Sequence, residues 1–180
     1  MTAADADERI SKLFERHFDE VLAYCTRRIG SGEAADAAAD VFAVAWRRID
    51  EIDWETARPW LYGIARNVVS NRWRSMHRRG RLATKLSGVA AVFNDTPEVF
   101  VIRREEDREV LDALKRLREP DQEILRLAAW EELSNVEIAA VLGISRAAVE
   151  QRLHRAKSRL ARALQPGHGP LSPAVEPGGS

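Results

Sequence analysis

Apolar residues recur along this chain with the three-and-four spacing of amphipathic helices, and no stretch of any length alternates like a strand. Ile10, Leu13, Phe14, Phe18, Val21, Leu22 and Cys25 mark a first helix beginning near Asp5, and Gly30-Ser31-Gly32 interrupts it. A second helix, from about Ala34, puts Val41, Phe42, Ala45, Trp46 and Ile49 on its buried side. IDWETARP then reads as a loop, and Pro59 suits the first turn of the next helix, where its missing N–H is no loss. That third helix runs from Trp60 to about Arg79, with Leu61, Ile64, Ala65 and Val68 on one face. The stretch ending in GVAAVFNDTPEVF mixes small, polar and turn residues without period and reads as a linker, with GVAAVF more apolar than a free linker usually is. Helices resume near Arg104, break at EPD and start afresh after Pro120. The tail, QPGHGPLSPAVEPGGS, has the Pro and Gly content of a disordered segment. The pattern predicts an all-α chain: two small helical domains, 1–85 and 105–165, joined by a flexible linker at 86–104 and followed by a tail at 166–180.

Composition narrows the class. With 45% hydrophobic and 31% charged residues the chain is globular rather than disordered. No run is long and apolar enough to cross a bilayer, and the acidic start MTAADADERI lacks a signal-peptide pattern. The lone Cys25 excludes an internal disulfide framework and any CxxC metal site. These features point to a cytoplasmic, metal-free protein. The four histidines (His17, His77, His154 and His168) are scattered, and there is no phosphate-binding Gly loop and no H-E-x-x-H. Neither an enzyme nor a cofactor is indicated.

A net charge of zero argues at first against a polyanion partner, but the charge is segregated. Arg58 to Arg81 holds seven Arg and no acid, and Leu133 to Leu164 holds six basic residues against Glu137 and Glu150. Between them, Leu82 to Glu132 carries twelve acids against eight bases. Two basic segments with an acidic one between them suggest two contacts with nucleic acid.

The second basic segment has helix-turn-helix punctuation. Ser134 and Glu137 have capping-box spacing, Ile138, Val141 and Leu142 form a buried face, and Ala139 is small where a second helix must approach. Gly143 can turn the chain in the left-handed conformation, and Ser145 can cap the following helix. Val149, Leu153, Ala156 and Leu160 then align inward, leaving Ala147, Gln151, His154 and Ser158 outward, flanked by Glu150 and Arg155. Gln and Arg can pair with purine edges in a major groove, and Glu can accept from cytosine. Arg146, Arg152, Lys157 and Arg159 are placed at the sides, where phosphates run. On the third helix Trp60, Asn67, Asn71, Arg74 and Arg78 share one side. A ring, amides and guanidinium groups in one stripe are what an unpaired strand requires for stacking, edge hydrogen bonds and phosphate contacts.

Trp60-Leu61-Tyr62-Gly63-Ile64-Ala65-Arg66-Asn67 resembles the W-L-x-x-I-A-R-N signature of the extracytoplasmic-function group of the sigma-70 family. Asp36, Asp40, Phe42, Ala45, Trp46 and Arg47 match, in order, the family's preceding D-x-x-x-[ED]-x-F-x-x-A-W-R stretch. The resemblance covers about Leu13 to Arg79 and Glu105 to Leu164. It implies a bacterial RNA polymerase subunit whose first domain docks on the clamp helices of the largest subunit and opens the −10 element. The second domain would read the −35 element as duplex. It further implies core contacts by Asp36, Asp40 and Arg47, a flipped-base pocket between loop Ile52–Ala57 and Asn67, and an anti-sigma factor as a partner the family admits. The chain departs from the family at Ala37–Ala39, where larger apolar residues and a Gln are usual, and at Asn71, where Asp is common. A stand-alone regulator of duplex DNA fits the helix-turn-helix equally well but has no use for the Trp60/Asn67/Arg74 stripe.

Overall fold

The computed structural model describes residues 3–87 and 105–165. Within them lie α1 (Ala3–Ile29), α2 (Ser31–Arg47), 3-10 turns at Ile49–Glu51 and Trp54–Thr56, α3 (Ala57–Ser87), α4 (Glu105–Lys115), α5 (Glu119–Ala129), α6 (Asn135–Leu142) and α7 (Arg146–Ala163). No strand occurs among the described residues. The expected linker beyond Ser87, GVAAVF included, and the Pro/Gly-rich tail lie outside them.

The first three helices pack on one another through facing stripes. On α1 the buried set is Leu13, His17, Val21, Tyr24 and Cys25, spaced by three and four. Gly30 breaks the chain alone, at φ 80°, so α2 begins at Ser31 rather than near Ala34. Its buried face is Ala34, Ala37, Ala38, Val41, Phe42 and Ala45. Ala37 and Ala38, which depart from the family pattern, are wholly buried and let α1 and α2 approach closely, whereas Ala39 is exposed. Two sequence expectations fail here. Trp46 is 56% exposed, in the last turn of α2, one residue before the helix ends at Arg47. Phe14 is also largely exposed, stacked on Phe18 at 4.5 Å and tilted against Phe42 at 5.0 Å along the rim of the α1–α2 seam.

Pro59 is buried in the first turn of α3, as its residue type allows. Ala57, Leu61, Tyr62, Ile64, Ala65 and Val69 face the core, and the helix continues to Ser87 instead of ending near Arg79. Likewise α5 starts at Glu119, one residue before Pro120, which occupies its first turn.

Helices α5, α6 and α7 pack together around Ile124, Leu127, Ile138, Val149 and Ala156, with Ala113 and Leu114 of α4 buried at one end. This group also touches the first. Helix α3 packs against α6, and the C-terminal end of α1 meets α5 and the segment after it. Tyr24 and Arg28 of α1 both bond to Glu123, and Arg27 and Arg28 to Glu131. Apolar burial is continuous across the contact.

Candidate nucleic-acid interface

The turn between α6 and α7 is built by local bonds. Ser134 Oγ accepts from the Glu137 N–H at 3.3 Å, and Glu137 Oε2 accepts in return from the Ser134 N–H at 2.8 Å. The Ser134 hydroxyl and backbone N–H together hold the Glu137 carboxyl below its ordinary value. Gly143 ends α6 at φ 64°, a conformation that costs a residue with a Cβ. Ser145 Oγ then caps α7 by accepting from the Ala148 N–H at 3.2 Å. Val149 and Ala156 are fully buried, which fixes the rotation of α7 and turns its other face to solvent.

On that outer face the structure brings together the residues singled out in the sequence. Arg146, Ala147, Glu150, Gln151, Arg152, His154, Arg155 and Lys157 are all exposed on α7. Arg146 Nε donates to Glu150 Oε1 at 2.9 Å, which orients the carboxylate and leaves it further acceptor capacity for a base. Arg155 Nε donates to the Gln151 carbonyl at 3.3 Å, which leaves the Gln151 amide uninvolved in that bond. Arg159 is a correction. Its Nη1 donates to buried Asp121 at 2.6 Å, tying α7 to α5, so it does not stand at the phosphate side.

The second basic stripe lies on α3. Asn67, Asn71, Arg74 and Arg78 are exposed, and Trp60 is half-buried with the Arg48 guanidinium 5.7 Å from its ring centre. Arg74 Nη2 donates to Asn71 Oδ1 at 2.8 Å, which orients both side chains on the same edge. Loop 52–57 is pinned at both ends, with Ile52 and Ala57 buried and Arg9 Nη2 donating to the Ile52 carbonyl at 3.2 Å. Asp53 accepts from the Glu55 N–H, and Trp54 stands out from the loop. Sequence reasoning did not single out Trp54 or Trp73. Trp73 is 45% exposed between Arg72 and Arg74, and a large ring among guanidinium groups is the signal that could have found it.

Asp36 and Arg47 are exposed on α2. Asp40 is exposed too, but it already has a partner: Arg72 Nε donates to it at 3.0 Å while Arg72 Nη1 reaches Glu33 at 3.0 Å. Asp40 therefore staples α2 to α3 as well as facing outward. Among the described residues no cluster of His, Cys, Asp and Glu could hold a metal ion, and no helix is long and apolar enough to cross a membrane.

Residues 13–79 match the family described as Sigma-70 region 2, and residues 107–160 match Sigma-70, region 4. The RNA polymerase sigma factor YlaC of Bacillus subtilis is 31% identical over 156 residues, covering 85% of this chain and 90% of that protein. The ECF RNA polymerase sigma factor BldN of Streptomyces coelicolor is 31% identical over 165 residues, 90% of this chain but 62% of that longer protein. The chain belongs to the sigma-70 family, in its extracytoplasmic-function group. In this sigma factor the region 2 match takes in most of α1, all of α2 and most of α3, and the region 4 match ends within α7. The solved structure of CnrH in complex with the cytosolic domain of CnrY is similar at 27% identity and a TM-score of 0.58, covering 88% of this chain and 94% of that one.

Proposed function

We propose that this sigma factor docks on the clamp helices of core RNA polymerase through the Asp36/Asp40/Arg47 edge of α2, holds the unpaired −10 strand along α3, and reads the −35 duplex with α7. The observation that carries the reading is the pair of exposed stripes, each on a helix whose opposite face is buried. On α3, Asn67, Asn71, Arg74 and Arg78, with Trp60 at the edge, offer edge, phosphate and stacking contacts. On α7, Arg146, Ala147, Glu150, Gln151, Arg152, His154, Arg155 and Lys157 present groove chemistry. A stand-alone duplex regulator would leave the α3 stripe without a task.

The reading divides the chain into a −10 unit at 1–85, a linker at 86–104, a −35 unit at 105–165 and a tail at 166–180. The protein works in the cytoplasm as a binding subunit, and the bond-forming chemistry belongs to the polymerase. CnrH is found with the cytosolic domain of CnrY, so a protein partner suits this fold, and the reading takes an anti-sigma factor as that partner here.

Run-off transcription with core polymerase on a genomic library tests the function and reports the promoter at once; no promoter-dependent product would overturn it. Asn67 tests the opening step. Its amide can donate and accept at a base edge but carries no charge. Asn67→Ala should lose about 1 kcal/mol of hydrogen bonding that helps offset base extrusion. Transcription should fall several-fold on a duplex promoter and recover on a template pre-melted by mismatches at −10. Arg74→Ala should stay defective on both, because a phosphate contact is needed with the strands apart or together. Equal loss for Asn67→Ala on the two templates would remove Asn67 from the opening step.

A further inference from the structure

The outer face of α2 is left uncovered by the described residues, and it is not polar throughout. Helices α1 and α3 cover the opposite side, where Ala34, Ala38, Val41 and Ala45 are buried. Asp36, Ala43 and Arg47, at i, i+7 and i+11, are exposed and lie within about 40° of one another, with about three turns between the two charges. Neither charge is bonded to another side chain among the described residues. Asp40, between them, is already neutralised by Arg72. On one flank stands Trp46, 56% exposed, and Ala35 and Ala39, eleven and seven residues earlier, are exposed on the same flank. Phe14 of α1, 43% exposed and tilted against Phe42, extends the apolar surface there. An open indole beside alanines and framed by charge is the make-up of an interface rather than of a solvated helix face.

We infer that this face is a docking site for the same face of a second copy of the chain, the two α2 helices pairing antiparallel about a two-fold axis. The axis lies midway between Asp36 and Arg47, so each Asp36 meets the other copy's Arg47 and every contact is made twice. In an antiparallel pair each flank meets the same flank running the other way. The Trp46 ring therefore comes down between Ala35 and Ala39 of the other copy, whose short side chains leave room for it. Parallel pairing is excluded by the same residues: it would set Asp36 beside Asp36 and Arg47 beside Arg47.

One helix face per copy is small for a protein interface, so the dimer is weak, with a dissociation constant on the order of micromolar. The indole seated among small residues carries most of the affinity, and the exposed ion pairs select partner and register. The functional consequence rests on the sigma-factor reading, in which Asp36 and Arg47 also face the polymerase. A copy can then join a second copy or core polymerase, but not both.

Sedimentation of the full chain from nanomolar to submillimolar protein should show monomer giving way to dimer and to nothing larger, since a two-fold contact closes on itself. Asp36→Arg alone and Arg47→Asp alone should each raise the concentration at half-association by about tenfold, because repulsion replaces attraction at both copies of the contact. Both substitutions in one chain reverse both charges and should restore association. Mixing the two single variants should restore it as well, because each is complementary to the other and not to itself. Trp46→Ala should weaken association by more than about tenfold. All three positions are exposed, so helix content by circular dichroism should stay the same. With core polymerase added, light scattering should give one sigma chain per polymerase. The doubly reversed variant should dimerise yet bind polymerase weakly, because the clamp helices have not been reversed with it. A parent that stays monomeric throughout, single variants that associate as the parent does, or a mixture that fails to pair would overturn the dimer. Polymerase carrying two sigma chains would overturn the shared face. A parent that dimerises and does not bind polymerase would instead overturn the sigma-factor reading and leave the dimer standing.

Discussion

Gln151 and Lys157 occupy the same exposed face of α7, and what separates them is chemistry. A Gln amide can pair with one base edge, whereas a Lys ammonium is a point charge that any phosphate satisfies. Gln151→Ala should cost about 1–3 kcal/mol at a particular −35 position and relax preference there. Lys157→Ala should weaken all sequences alike and reduce the salt slope of binding by about 1. Titrations of a duplex panel at several salt concentrations separate the two, and uniform loss from both would mean that α7 does not read bases in this way. Arg159 shows where single-residue reasoning stops. Its place on the helix wheel suggested a phosphate contact, but its partner Asp121 is 38 residues away in sequence and invisible to any local pattern. Trp46 was misplaced for a related reason. Hydrophobicity alone put it inside, while its place in the last turn of α2 leaves it exposed.

At the scale of elements, the helix-turn-helix was legible because everything that sets it is local. Ser134, Glu137, Gly143 and Ser145 fall within twelve residues, and the structure uses each in the role its side chain or backbone permits. Boundaries were less legible. The GSG signal was right about a break but not about its extent, since one left-handed glycine suffices and Ser31 and Gly32 are free to join α2. The capping box carries a pH signature. Glu137 is held below its ordinary value, so its contribution is fully present above the unfolded carboxyl pKa and is lost as pH falls through the folded one. Urea midpoints measured between about pH 3 and 6 should therefore fall less steeply on acidification for Glu137→Gln than for the parent. Identical pH dependence in the two proteins would mean that Glu137 gains nothing from Ser134 when charged.

At the scale of the whole molecule, charge segregation suggested two basic surfaces, and the structure exposes Arg74 and Arg78 on α3 and Arg146, Arg152, Arg155 and Lys157 on α7. The contact between the halves was not legible. Tyr24, Arg27 and Arg28 read as an ordinary basic helix end, and their partners come 95 to 104 residues later. No periodicity spans that gap. The bonds across this contact join side chains and one backbone carbonyl, and none depends on a continuous peptide backbone. A chain cut by a protease between residues 88 and 104 should consequently elute from a sizing column at the volume of the intact protein, and show two bands only after denaturation. Such a nicked molecule would behave as a heterodimer made from one gene product, its integrity now governed by dilution.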